Sequence, residues 1–549
     1  MLLNKRNSIY QKRLPLSSNV EYGLMVLLVY GCGSSGQSFK DTYRVGFSSD
    51  YKAPIPTYEN PDTKDQNFKI NEPSYVTPYW VEALLMENGQ HTVGTILSTN
   101  NRTILFSFPN ERPSYIPVTI LGWAPANDDM QIASKQILNY LEQVLNVKFE
   151  ETNDVYGPNI ISISQSIQSV TGGFSYFPNS NYEIGSDVFM SKTFSNPHFF
   201  SSGLTNYDYE ILIHEMGHAL GLKHPFEGHE SNVTVLTETE DHTANTAMSY
   251  DDYSFSFDGT FRALDWMALA KLYGVNPLYA SGNDTYNFSQ EGGIFIIDGA
   301  GIDTIDCKSS GSDVYIDLRS GMQSYHGTKS TLITSANQLT ISHGSEIENV
   351  ETGFGNDVVI GNDLENIIKT NDGNDTIFAG NGPDIVVPGF GNDIIDLSED
   401  TASEDTVIFE FPSIGTNTNL LYGFKQGTDG DVIKFENLGI SDLKLLPLVE
   451  ASNVPTGYID NCLVRVFGEA LTSEDNFKEY FTKEGLLQNL KLSEMETALL
   501  ILSNSQDTGE TQNLYTVQKQ AEYIEITLFG RFLGNYLDID NWAVDNFIV

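Results

Sequence analysis

Apolar positions change period several times between residues 103 and 277. Thr103–Phe108 (TILFSF) alternates, which is the two-residue period of a half-buried strand. Across Asp128–Val147 the apolar residues Met130, Ala133, Ile137, Leu138, Leu141, Val144 and Leu145 recur at three and four residues. That spacing predicts an amphipathic helix with Asn127 or Asp128 as N-cap. Ile160–Ile163 and Ser186–Met190 read as strands, with Gly172-Gly173 and Asn179–Asn181 as turns. Ile211–Leu222 is apolar on most of its circumference and predicts a buried helix. Phe261–Gly274, with Leu264, Met267, Ala268, Ala270 and Leu272, predicts a last helix closed by Gly274. A strand, a helix, strands and further helices in this order suit a mixed α+β domain over residues 77–277.

A different period governs residues 352–396, which divide into nine-residue units: TGFGNDVVI, GNDLENIIK, TNDGNDTIF, AGNGPDIVV and PGFGNDIID. Each has a turn half and a short apolar half. The turn halves place Gly353, Gly355 and Asp357, then Gly373 and Asp375, then Gly380, Gly382 and Asp384, then Gly389, Gly391 and Asp393. The apolar halves predict short strands winding into a parallel roll with aliphatics inside. Stacked turns would align carboxylates that repel one another unless cations sit between them. Hard cages of oxygen ligands suit several Ca²⁺ ions, held by these glycine carbonyls and aspartates. The alternative is an ordinary β-solenoid with an acidic edge. The second unit departs from the pattern, with Asn366 in the Asp place, and the third has Asn371 for a glycine, so fewer sites than units are expected to fill. Degenerate relatives of the units occur over 278–350, and Asp405–Phe411 extends the pattern, giving a roll over 278–440 and a β-rich tail over 441–549.

The buried helix carries the chemistry. His214, Glu215, His218, Gly221 and His224 have the spacing H-E-x-x-H-x-x-G-x-x-H. Histidines at i and i+4 share a helix face, so both can reach one metal. Gly221 lets the chain leave the helix in a left-handed conformation and return His224 as a third nitrogen. Three protein ligands with an open position are the catalytic arrangement for zinc. Glu215 is placed as general base. The alternative, solvated histidines on a surface helix, conflicts with the apolar neighbours Ile211, Leu212, Ile213, Ala219, Leu220 and Leu222.

Composition narrows the classes further. A net charge of −43 with only 30 Lys and Arg excludes a dominant nucleic-acid face. The 40% hydrophobic and 11% aromatic content argues for folded domains rather than an acidic disordered chain. Cys32, Cys307 and Cys462 are too few for a disulfide framework. No apolar run reaches the roughly 18 residues of a membrane span. Residues 1–40 combine Lys5, Arg6, Lys12 and Arg13 with the apolar run Leu24–Tyr30 before Cys32, which resembles a bacterial lipoprotein signal with Cys32 as the lipidated residue. Residues 41–76 read as a linker or pro-segment.

Thr246-Ala247-Met248-Ser249-Tyr250 follows the third histidine, Pro225 succeeds His224, and the later run ALDWMALAKLYGVN completes a pattern that resembles the serralysin-type metzincin peptidases. The nine-residue units resemble the RTX (hemolysin-type) calcium-binding repeats. These resemblances imply an α+β zincin (metzincin) catalytic domain, then a parallel β-roll and a β-rich C-terminal region. They imply one catalytic Zn²⁺ on His214, His218 and His224, Met248 packed beneath it, and Tyr250 as an added zinc ligand at rest and an oxyanion donor during reaction. The chain's end, Asp545-Asn546-Phe547-Ile548-Val549, resembles the C-terminal export signal of RTX proteins, which implies type I secretion machinery as a partner. That route uses no N-terminal signal, so it competes with the reading of Cys32; both place the chain outside the cytoplasm of a Gram-negative bacterium. The expected function is a monomeric, secreted or cell-surface zinc endopeptidase acting on proteins and peptides. The alternative is a calcium-dependent surface-binding protein with a degenerate peptidase domain.

Overall fold

The computed structural model describes residues 78–86 and, with intervals left out, 102–548. The leader with Cys32, the 41–76 segment, and the terminal residues Asp545 and Val549 lie outside the described residues. The chain divides into two compact units at Asn276 and Pro277.

The first unit is built on a six-stranded sheet. Thr103–Ser107 pairs in parallel with Lys148–Glu151 on one side and Ile160–Ser166 on the other. Val188–Ser191 continues parallel to Ile160–Ser166, and Gly173–Ser175 closes that edge antiparallel. Ile160–Ser166 is buried at six of its seven positions, so it carries a near-continuous apolar run rather than an alternation. The strand Lys148–Glu151 (KFEE) escapes a pattern search because it is mostly charged and exposed. Main-chain pairing with Thr103–Phe106 makes it a strand, and charge on an edge discourages further pairing. Gly173, expected in a turn, lies in a strand.

The helix after Thr103–Ser107 spans Asp128–Val144 and is capped by Asn127, whose side chain accepts from the Met130 N–H at 2.9 Å. It ends earlier than the apolar period suggests. Leu145 turns extended and bridges Val275, while Asn146 N–H donates to the Gly274 carbonyl. Tertiary pairing thus overrides the helical period. The last helix, Ala263–Tyr273, ends at Gly274 with φ 72°, where a side chain would be strained.

The second unit is a roll of short parallel strands. Successive nine-residue units alternate between two sheets, so within the repeats each strand pairs with the strand 18 residues away, and beyond them the interval lengthens to 21 or 26. Val359, Ile377, Ile395 and Leu421 form one register column. Ile368, Val386, Val407 and Ile433 form the other. All eight side chains are fully buried and form one core with Ile305, Ile316 and Val350. Tail residues extend the same sheets rather than forming a separate layer. Ile524–Leu533 pairs with Asn419–Tyr422, and Phe547–Ile548 pairs with Val432–Glu436. Among the described residues no helix is long and apolar enough to cross a membrane.

Truncating one rung should cost what a buried isoleucine usually costs. Ile395→Ala is expected to destabilise the roll by about 2–5 kcal/mol, read as a lower denaturant midpoint in calcium-containing buffer.

Candidate metal centre

The helix Asn206–Ala219 carries His214, Glu215 and His218 into the interior, and all three are fully buried. Ile211, Leu212, Ile213 and Met216 of the same helix are buried as well. Gly221 takes φ 107° and lets the chain double back. Leu222 then bridges Leu85, and His224 arrives as the third imidazole.

The three rings converge through their Nε2 atoms. His224 Nε2 lies 3.1 Å from Nε2 of both His214 and His218. Each Nδ1 has its own oxygen: the Ala247 carbonyl at 2.8 Å for His214, the Leu222 carbonyl at 2.7 Å for His218, and the Glu227 carboxylate at 3.1 Å for His224. Carbonyl oxygens only accept, so Nδ1 of His214 and His218 carries the proton and Nε2 presents a lone pair. Burial, followed by the neighbouring imidazoles, pushes both rings well below the usual histidine range, so they stay neutral. Three lone pairs aimed at one point repel unless a cation stands there. Tetrahedral ligands at the usual zinc–nitrogen length of about 2.0–2.1 Å would sit about 3.3 Å apart, close to the spacing seen. The donor set therefore fits zinc.

The surroundings hold the rings in place. Met248 is fully buried, and a Cβ on Gly217 would stand 2.5 Å from its Sδ, so the absence of a side chain there lets the thioether seat under the metal helix. Asp265 fixes the Met248 turn from below, accepting from Thr246 Oγ1 at 2.6 Å and from the Ala247 N–H at 2.7 Å. Burial first, offset by those hydrogen bonds, lifts its carboxyl to about 6. Arg262, at the start of the same helix, pairs with the buried Glu210 of the metal helix at 3.0 Å. The Tyr250 hydroxyl lies 2.9 Å from His224 Nε2, at the same focus. Phe226 stacks on His224 with ring centroids 5.0 Å apart, and Phe177 meets His218 edge-on at 5.3 Å. A Cβ on Gly173 would fall 2.8 Å from Glu215 Cγ, which explains why a glycine occupies that strand position.

In the second unit the aspartates stack as the repeat implies, and each carboxylate is partly spoken for. Asp375 Oδ1 accepts from the Asp357 N–H, Asp393 Oδ1 from Asp375, Asp384 Oδ1 from Asn366, and Asp405 Oδ1 from Asp384, at 2.7–3.0 Å. The other oxygens of Asp384, Asp393 and Asp405 are buried with no hydrogen-bond donor among the described residues. Burial above all lifts Asp375 and Asp384 to about 8, and Asp393 and Asp405 to about 7. A buried oxygen lacking a donor is what a divalent cation would satisfy. Gly355, Gly373 and Gly391 have φ near 150°, and each packs so closely that a Cβ would overlap the turn stacked against it. Gly380, Gly382 and Gly389 take φ between 78° and 108°, while Gly353 packs against the Ser310 carbonyl. At Asn366 an amide stands in the Asp place, and its Nδ2 donates to the Glu348 carbonyl at 2.9 Å. Asn371 keeps the turn by adopting φ 61°, which asparagine tolerates.

Comparison with known proteins agrees with this chemistry. Residues 360–395 match the family described as the RTX calcium-binding nonapeptide repeat (4 copies). The chain is 28% identical to a serralysin of Proteus mirabilis over 51% of this chain and 62% of that protein. It is 28% identical to a serralysin of Photorhabdus luminescens, over 48% and 59%, and 28% identical to the metallopeptidase AprA of Pseudomonas marginalis, over 46% and 57%. The chain is serralysin-like and carries RTX calcium-binding repeats. It spans less than two thirds of the length of these curated relatives.

Several residues of this serralysin-like chain escape a motif search. Glu227 is three residues past the end of the histidine pattern, and an isolated Glu gives no signal until its contact with His224 is seen. Asp405 opens the Asp405–Phe411 stretch already read as extending the pattern, but it lies 21 residues after Asp384, where an insertion breaks the nine-residue period, so the repeat alone does not align its carboxylate with that of Asp384. Asp431 stands behind it, its Oδ1 accepting from the Asp405 N–H at 3.0 Å.

The raised carboxyls set a pH dependence. A carboxyl whose pKa rises on folding adds stability below its unfolded value, near 4, and loses it as pH climbs through the folded value. In excess EGTA the roll is expected to melt at progressively lower temperature, with reduced β circular dichroism, as pH is raised from about 4 to 8. Millimolar calcium is expected to abolish that decline.

Proposed function

We propose that this chain is a secreted or cell-surface zinc endopeptidase that hydrolyses peptide bonds of extracellular proteins, with a roll that folds on binding calcium. The supporting observation is the convergence of three buried Nε2 atoms on one point, with Glu215 on the same helix and the Tyr250 hydroxyl at that focus. We read the sheet and helices before Asn276 as the zincin (metzincin) arrangement, with the chain acting as a monomer.

Zinc, when bound, supplies a Lewis acid that polarises a carbonyl and makes water a nucleophile at neutral pH. His214, His218 and His224 would hold it through their Nε2 atoms. Glu215 takes a proton from the attacking water on its carboxylate and returns it to the leaving amide nitrogen. Tyr250 Oη, 2.9 Å from His224 Nε2, donates to the oxygen that gains charge as the carbonyl becomes tetrahedral. Phe177 and Phe226, both half-buried beside ligand rings, limit the water around the reacting centre. The turn carbonyls of the glycines and the Oδ2 atoms of Asp357, Asp375, Asp384, Asp393 and Asp405 would hold calcium in the roll. Scarce cytosolic calcium would leave the roll loose, suiting passage through type I secretion machinery, and calcium outside would close it. Cys32 remains a proposed site of lipid attachment.

The complete ligand set favours an enzyme over a binding protein with a lapsed site. Casein should be cleaved, and 1,10-phenanthroline should stop the cleavage. Glu215→Ala should lower kcat by at least 10²–10⁴-fold while zinc, measured by elemental analysis, stays bound. Full activity in that variant would remove Glu215 from the mechanism.

A further inference from the structure

Lys223 directly precedes the third histidine, yet it is only 1% exposed. A buried ammonium needs compensation. Here main-chain oxygens surround it: Nζ donates to the carbonyls of Ala83 at 2.7 Å, Glu227 at 2.9 Å and Thr234 at 2.9 Å, with that of His224 at 3.5 Å. Carbonyl oxygens drawn from distant parts of the chain and pointed at one positive charge form a cation cage whose occupant is built in.

The cage joins segments that would otherwise be separate. Ala83 belongs to the segment after the short helix Tyr79–Glu82. Its neighbour Leu84 accepts from the Lys223 N–H at 2.8 Å. Glu227 and Thr234 lie on the loop beyond His224, which closes on itself where Leu236 N–H reaches the Pro225 carbonyl at 2.7 Å. Asn232 pins the same loop to Glu82 and Leu85 through their carbonyls, both at 2.8 Å. Glu227 is the hinge of the arrangement. Its carbonyl touches Nζ, and its carboxylate stands 3.1 Å from His224 Nδ1. Unlike His214 and His218, His224 is carried by a loop, so nothing helical fixes its ring.

We propose that Lys223 is a positioning residue for the third ligand: its ammonium acts as an internal structural cation that fixes the loop carrying His224 and Glu227, and so slows loss of zinc. The inference rests on the zinc reading of the histidines. Residues that orient a metal ligand typically change metal affinity by 10–100-fold when removed. Coupling between two sites is reciprocal, so zinc in turn should hold the cage closed.

Full-length wild type, Lys223→Met and Lys223→Ala are loaded with zinc, and its transfer to a colorimetric chelator is timed. Both variants should release zinc about 10–100-fold faster, and methylammonium chloride should slow release from Lys223→Ala where equimolar tetramethylammonium chloride does not. Equal release rates, or rescue by both salts alike, would overturn the proposal. In parallel, wild-type chain is treated with an amine-acetylating reagent with zinc bound and after its removal. Lys223, followed by mass spectrometry, should be protected by zinc about tenfold or more. Unchanged labelling overturns the proposal even where the variants fail to fold. A wild type that binds no zinc overturns the zinc reading and this one with it; zinc-binding wild type with unaltered variants overturns this one alone.

Discussion

Three nitrogen lone pairs, each 3.1 Å from the next along the chain of contacts through His224, are pointed at one place inside the first unit. That repulsive arrangement is the constraint on which the rest of the unit depends. It exists because carbonyls of Ala247 and Leu222 claim the other nitrogen of two rings. Those carbonyls are positioned in turn by the Met248 turn and by the chain reversal at Gly221. The Met248 turn stands on Asp265, and the helix bearing Asp265 is tied back to the metal helix through Arg262 and Glu210. Unfavourable electrostatics at the focus are thus offset by main-chain hydrogen bonding around it.

The roll meets a related difficulty with oxygen in place of nitrogen. One oxygen of each aspartate is consumed by a main-chain N–H of the adjacent turn, which sets the carboxylate's direction. The second oxygen is left buried at Asp384, Asp393 and Asp405. Where the chain substitutes Asn366, the amide donates its own hydrogen to a carbonyl. The two units present different donor sets by the same logic of which atoms the backbone leaves over: borderline nitrogens in one, hard oxygens in the other.

Much of this was legible in the chain because it is periodic. The i, i+4 histidines and the nine-residue repeat are local patterns, and a single strand or helix expresses each of them. What was not legible depends on partners far away in sequence. KFEE becomes a strand only because Thr103–Phe106 lies beside it. The helix from Asp128 stops short because Gly274 and Val275 capture the chain. Gly173 looked like a turn residue, yet its lack of a side chain serves a close approach to Glu215. Lys223 carries no signal in the sequence, and its place is seen only from the carbonyls of Ala83 and Thr234 around it.

The alternation of the repeat between two sheets has a consequence for how such a roll can change length. Register columns advance by 18 residues, from Val359 to Ile377 to Ile395. Losing one nine-residue unit would send every later strand to the opposite wall and reverse which carboxylates face one another. Losing two would leave both columns intact, only shorter. Growth and shrinkage of the solenoid are therefore quantised in even numbers of units, a parity rule that the linear motif does not reveal.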